Sequence, residues 1–202
     1  YLADIEKIIS DSQLDEEVKK LSMRIFMKVA DAEALVHGIP VDRVHFHEVG
    51  AIDSIIDIVG AAICFRALKA DAVYVSEVEL GGGFVLCEHG KLPVPAPATA
   101  EIIKGIPVRK GGVDFEATTP TGAAIIAALG TDFRKTHSLS IEKTAYGIGH
   151  KENPDVPNLL RVSLGETNTE ENTGHDAIQL ECNIDDMNPE FYDHVMAKLF
   201  DA

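Results

Sequence analysis

The chain has 202 residues, a formal net charge of −15 and an apolar content of 46%, enough for one domain with a real core and part of another. That charge argues against nucleic acid and against an anionic membrane surface as partners. No apolar run reaches membrane-spanning length. Three scattered cysteines, Cys64, Cys87 and Cys182, make no disulfide framework and suit a reducing cytoplasm, where an enzyme or a cation-handling protein is expected.

Tyr1 opens inside a short apolar helix (Leu2, Ile5, Ile8, Ile9) and Ala202 closes inside another (Phe191, Val195, Leu199), so a fragment of a longer protein is expected. Nothing at the start has the basic-then-apolar pattern of a signal peptide. Ser12 is a candidate N-cap, with Asp15 to Glu17 in the first turn. The helix it opens carries Leu14, Val18, Leu21, Ile25, Val29, Ala32 and Val36 to a stop at Gly38 and Pro40.

Val44 to Gly60, VHFHEVGAIDSIIDIVG, is the stretch richest in chemistry. A strand there points His45 and His47 to one face and Val44 and Phe46 to the other. Gly50 permits a turn, and from Ala51 the period becomes helical. Ile52, Ile55, Ile56, Val59 and Ile63 form the expected buried stripe, with Asp53 and Asp57 on its flank. A carboxylate in an apolar repeat must be hydrogen-bonded, paired or metal-bound, and Asp57 has isoleucine close on both sides. His45, His47, Glu48, Asp53 and Asp57 are therefore candidate ligands for a divalent transition metal, namely zinc, nickel, iron or manganese.

Ala72 to Leu80 reads as a strand, and Gly81-Gly82-Gly83 after it allow close backbone approach to a ligand's phosphate, or simply a turn. No Gly-Lys-Ser/Thr follows, so this is not a P-loop. Cys87 and His89 face one side of an extended segment and are lesser metal candidates. Pro93, Pro95 and Pro97 stiffen the approach to a short helix from about Ala98 to Gly105. Thr118-Thr119-Pro120-Thr121-Gly122 precedes an apolar helix, Ala123 to Leu129, which makes Thr119, Thr121 and Gly122 anion-binding candidates as well as a cap. Tyr146 to His150 reads as a glycine-rich turn, Asn153 to Pro157 as a second loop, and Leu159 to Leu164 as a strand. The domains expected are a main domain over 1–164, a linker over 165–175 and the start of a second domain over 176–202. In the last, Asp185, Asp186 and Glu190 lie between a strand and a helix, a place that suits magnesium on a nucleotide or plain helix-start charge.

The segments HFHEVGAIDSIIDIVGAA, GGGFVLCEHGKLPVPAPATAEIIKGIPV, ATTPTGAAIIAAL, YGIGHKENPDVPNLLRV and ECNIDDMNPEFYDHVM resemble, in order, those of the LarC family of nickel-insertion proteins. The resemblance covers essentially the whole chain. It departs from the family pattern in lacking the N-terminal Cys-Phe-Ser-Gly-like segment, most of the C-terminal nucleotide-binding domain, and the histidine-rich insert of some members. It implies a cytoplasmic, CTP-dependent cyclometallase with Mg2+ or Mn2+ at the nucleotide. Such an enzyme inserts Ni2+ into pyridinium-3,5-bisthiocarboxylic acid mononucleotide, making the nickel-pincer cofactor of lactate racemase-type enzymes. A homo-oligomer is expected. The alternatives are a non-catalytic nickel carrier and a metal-dependent hydrolase, the latter opposed by the lack of eight strand–helix repeats. The fold expected is α/β or α+β, helices on a mixed sheet, then the start of an α+β domain that the resemblance makes ferredoxin-like.

Overall fold

A computed structural model describes residues 1–46, 52–87, 90–133, 139–151, 153–167 and 198. The chain divides into two units, Tyr1–Thr167 and Asn168–Ala202, and every element below belongs to the first. The strand expected over Ile178 to Ile184 and the acidic turn after it lie outside the described residues.

Two helices begin the fold. α1 (Leu2–Ser10) buries Ile5 and Ile9. α2 (Glu16–His37) starts one turn later than its sequence suggests, because Asp15 and not Ser12 is the cap: its carboxylate accepts the Glu17 N–H at 2.9 Å. The Ser12 hydroxyl instead donates to the Ile9 carbonyl at 2.6 Å and so closes α1. At the other end Gly38 takes a φ of 63°, the left-handed conformation that terminates helices and that glycine adopts without a Cβ penalty.

α2 is the spine of the core. Ile25, Phe26 and Val29 are fully buried, against Ile5 and Ile9 of α1, Ile58 and Ala62 of α3 (Ile52–Leu68) and Ala124 of α5 (Pro120–Leu129). Each large side chain buried in this way is worth about 1.5–3 kcal/mol over leaving it in water. A second cluster joins Val78 and Leu80 to Ile103 and Ala123, with Ile102 of α4 (Pro97–Ile102) and Ile126 of α5 packed on it.

The class is α/β, as the sequence leads one to expect, with the described strands in three pairs. β1 (Val78–Glu79) and β4 (Val108–Arg109) are parallel. β2 (Phe84–Cys87) and β3 (Gly90–Pro93) form an antiparallel hairpin, and β5 (Ser140–Ile148) pairs antiparallel with β6 (Leu159–Glu166). Two strand readings need correction. Ala72 to Leu80 forms ladder only at Val78 and Glu79, because its neighbour β4 is two residues long; earlier, Tyr74 makes a single bridge to Asp132. Tyr146, Gly147 and Ile148, read as part of a turn, are the end of β5: Gly147 lies opposite Leu160 and continues the ladder. Among the described residues no helix is long and apolar enough to cross a membrane.

Candidate functional site

A short 3-10 turn, Val41–Arg43, leads into Val44, whose φ and ψ of −64° and 125° are extended. Among the described residues Val44 to Phe46 join no ladder, so the strand expected here is not formed by them. The alternation of faces nevertheless holds. Val44 is fully buried and Phe46 packs edge-on against Phe26, with ring centroids 6.5 Å apart, while His45 is exposed and lies against the Tyr1 ring at 4.0 Å. His47 and Glu48 lie outside the described residues.

α3 emerges at Ile52 with its faces rotated from the expectation. Ile52, Ile56 and Ile63 are exposed, whereas Ser54, Ile58 and Ala62 are buried and Ile55 and Val59 are packed at the core's edge. The physical reason is that α3 is apolar nearly all round, so its contacts with α2 and α5, not its own pattern, choose the inner face. Asp53 and Asp57 then sit on the outer face, both exposed. The Asp53 carboxylate accepts the Ser54 N–H at 2.9 Å. Asp57 is exposed, so burial does not oblige it to have a partner. What remains is a pair of exposed carboxylates one helical turn apart. Among the described residues no three His, Cys, Asp or Glu side chains are grouped as a ready metal cage.

Cys87 ends β2, and its thiol donates to the Gly90 carbonyl at 3.4 Å across the hairpin end. His89 is outside the described residues, as are Asp185, Asp186 and Glu190.

The glycine and threonine turns come together. Gly81 and Gly83 have φ of 82° and 72°, and a Cβ on Gly81 would collide with the Phe115 carbonyl oxygen and lie 2.9 Å from the Ala117 nitrogen. The close approach these glycines permit is to the chain's own 113–117 backbone. Gly82 N–H donates to Phe115 O at 3.2 Å, Ala117 N–H to Leu80 O at 3.2 Å, and the Thr118 hydroxyl to Glu79 O at 2.7 Å. One residue on, Thr119 caps α5 by accepting the Gly122 N–H at 3.2 Å, with Pro120 in the first turn. Gly81, Gly82, Gly83, Thr119, Thr121 and Gly122 thus belong to one joined substructure.

Glu79 locks that substructure, and sequence reasoning missed it. Its carboxylate accepts N–H groups from Gly81 at 2.8 Å and Gly112 at 3.4 Å, and pairs with Arg109 Nε at 3.1 Å. Its place two residues before a glycine triplet was the available signal, since a carboxylate there reaches the N–H two positions on. Gly112 and Arg109 are about thirty residues away, which no local pattern reveals.

Comparison with known proteins completes the description. The family model described as "Nickel insertion protein" matches residues 1–202. The pyridinium-3,5-bisthiocarboxylic acid mononucleotide nickel insertion protein of Clostridium acetobutylicum is 59% identical over 199 residues, covering 98% of this chain and 47% of that protein. Proteins of the same name from Clostridium kluyveri and Akkermansia muciniphila are 56% and 50% identical, each covering 100% of this chain and 50% of the relative. The chain spans about half the length of these curated relatives. No solved structure matches it. With its whole length matched by the family model, the chain belongs to the nickel insertion protein family.

Proposed function

We propose that this chain is the metal- and substrate-handling part of an enzyme that inserts nickel into pyridinium-3,5-bisthiocarboxylic acid mononucleotide. The observation that carries the reading is the 59% identity to a protein named for that activity, over 98% of this chain. In this reading Ni2+ is a substrate. His45, His47 and Glu48 deliver an imidazole–carboxylate donor set that suits a borderline ion. Asp53 and Asp57 add exposed oxygen ligands on one face of α3. Cys87 and His89 are a lesser metal position on the β2–β3 hairpin. Thr119, Thr121 and Gly122, at the start of α5, and Gly81 to Gly83 hold the phosphate and carboxylates of the mononucleotide. The dipole at the start of α5 favours negative charge at that end.

The finer proposal is that insertion consumes CTP, with the nucleotide and its Mg2+ or Mn2+ served by Asp185, Asp186 and Glu190 at the entry to a second domain beginning near residue 176. The product would mature lactate racemase-type enzymes in the cytoplasm, and the working protein would be a homo-oligomer. Calorimetric titration of nickel into the chain and into the His45→Ala, His47→Ala double variant tests the metal site. A loss of binding supports it, and unchanged affinity refutes the assignment. Nickel insertion by the full-length protein with and without CTP separates an enzyme from a carrier, which would bind metal without turnover.

A further inference from the structure

The β5–β6 hairpin and the loop at its tip form the motif that the function above leaves unused. All nine β5 residues are exposed, and among the described residues neither buried core cluster includes any of the ribbon. Burial in those clusters therefore does not fasten it to the rest of its unit. A contact at its tip does.

The tip is built to present one lysine. Asn153 Oδ1 accepts the N–H groups of Asp155 at 2.9 Å and Val156 at 3.3 Å, folding the chain back on itself. Asn158 Nδ2 donates to the Lys151 carbonyl at 3.1 Å, and Gly149 N–H to the Asn158 carbonyl at 2.9 Å. A Cβ at Gly149 would collide with the Asn158 amide, so glycine keeps the two sides of the loop together. With its own carbonyl held, Lys151 sends its side chain out from a set place. Its Nζ lies 5.3 Å from the centroid of the Phe115 ring, within the reach at which an ammonium is attracted to an aromatic face.

Phe115 is a consequential place to grip. Its carbonyl accepts the Gly82 N–H at 3.2 Å, and a Cβ on Gly81 would collide with that same oxygen. Two residues on, Ala117 N–H donates to Leu80 O at 3.2 Å. One residue thus meets the ribbon tip with its ring and the glycine turn with its backbone.

We infer that the β5–β6 ribbon is a strap, latched to segment 113–117 by Lys151 on Phe115, so that the ribbon tip and the glycine turn open together. Lys151 is exposed, where such a contact is weak, and its loss should raise the open population about two- to fivefold. The strap is therefore poised and not locked. Its bearing on the mononucleotide rests on the proposed function: a ligand at the glycine turn that displaced 113–117 would have to lift the strap. The coupling itself rests on the contacts alone.

The test is a double-mutant cycle read by NMR relaxation dispersion, which reports exchange between states on the microsecond to millisecond scale. Lys151→Met should raise the open population about two- to fivefold at both Gly149 and Gly82. Phe115→Leu should do the same at Gly149, and adding Lys151→Met to it should have no further effect, because the contact is lost only once. Lys151→Arg should stay near wild type, since a guanidinium also stacks on an aromatic face. In wild type the Lys151 ε-methylene protons should carry an upfield ring-current shift that Phe115→Leu removes. No such shift, no exchange at the tip, additive effects in the cycle, or a response to Lys151→Met at Gly149 without one at Gly82 would each overturn the inference. None of these readings involves nickel or nucleotide, so failure here and failure of the proposed function are separate results.

Discussion

Replacing Gly81 by alanine tests most directly what the glycine triplet is for. At a φ of 82° the substituted residue sits in the left-handed region, which costs an L side chain about 1–2 kcal/mol. The new Cβ also collides with backbone at Phe115, which cannot rotate away as a side chain would. Segment 113–117 must then retreat and loosen two hydrogen bonds, Gly82 N–H to Phe115 O and Ala117 N–H to Leu80 O, at roughly 1 kcal/mol each. The sum is a loss of about 3–4 kcal/mol, a large share of the roughly 5–15 kcal/mol that holds a domain folded. Gly38→Ala is the matched control: its φ is 63°, but nothing lies within 4 Å of the added Cβ, so only strain of about 1–2 kcal/mol applies. Urea unfolding followed by circular dichroism compares the two. Equal losses at both positions would mean that the turn at Gly81 is open to solvent or ligand and not closed on its own backbone, and the reasoning would be refuted.

Glu79→Ala should destabilise by about 1–3 kcal/mol, since it orphans the partly buried Gly81 N–H and gives up the exposed Gly112 bond. Glu79→Gln keeps an oxygen for both and gives up only the pairing with the largely exposed Arg109, so it should cost about 1 kcal/mol or less in the same assay. Thr119→Ala removes the cap of α5 and should cost about 1 kcal/mol in urea unfolding. Lys20 holds the Glu17 carboxyl below its usual pKa, first by a hydrogen bond and then by its charge, and Lys20 is itself raised in return. Lys20→Met should therefore move Glu17 upward in an NMR pH titration. The stabilisation this exposed pair provides is present above the ordinary carboxyl pKa and fades as pH falls through the lowered one. On the lysine side it is present below the ordinary amine pKa and fades as pH rises through the raised one.

The parts of this fold legible in the sequence are those whose signals are local. α2 shows an acidic start, a periodic apolar face and Gly38 at its end, and α5 shows a capping threonine before a proline. The orientation of α3 was not legible, because isoleucines at 52, 55, 56, 58 and 63 offer more than one apolar face and the neighbours decide among them. β5 was hidden by Gly147 and Gly149, which read as turn residues although the first completes a ladder. In the candidate site, the opposed faces of His45 and its neighbours followed from strand periodicity. The union of the glycine and threonine turns through Glu79 did not, because its partners come from distant sequence.

The β5–β6 ribbon has a dynamic consequence. It is a pair of strands, nine and eight residues long, whose β5 residues are all exposed, and among the described residues neither buried core cluster includes any of it. An isolated hairpin of this kind is marginal in water. Its amides should therefore exchange with deuterated solvent by local opening, at free energies well below those of the α2 interior, so that one molecule carries two classes of protection. The tip between Gly149 and Asn158 would then keep its form through its own asparagine contacts even while the ladder behind it breathes.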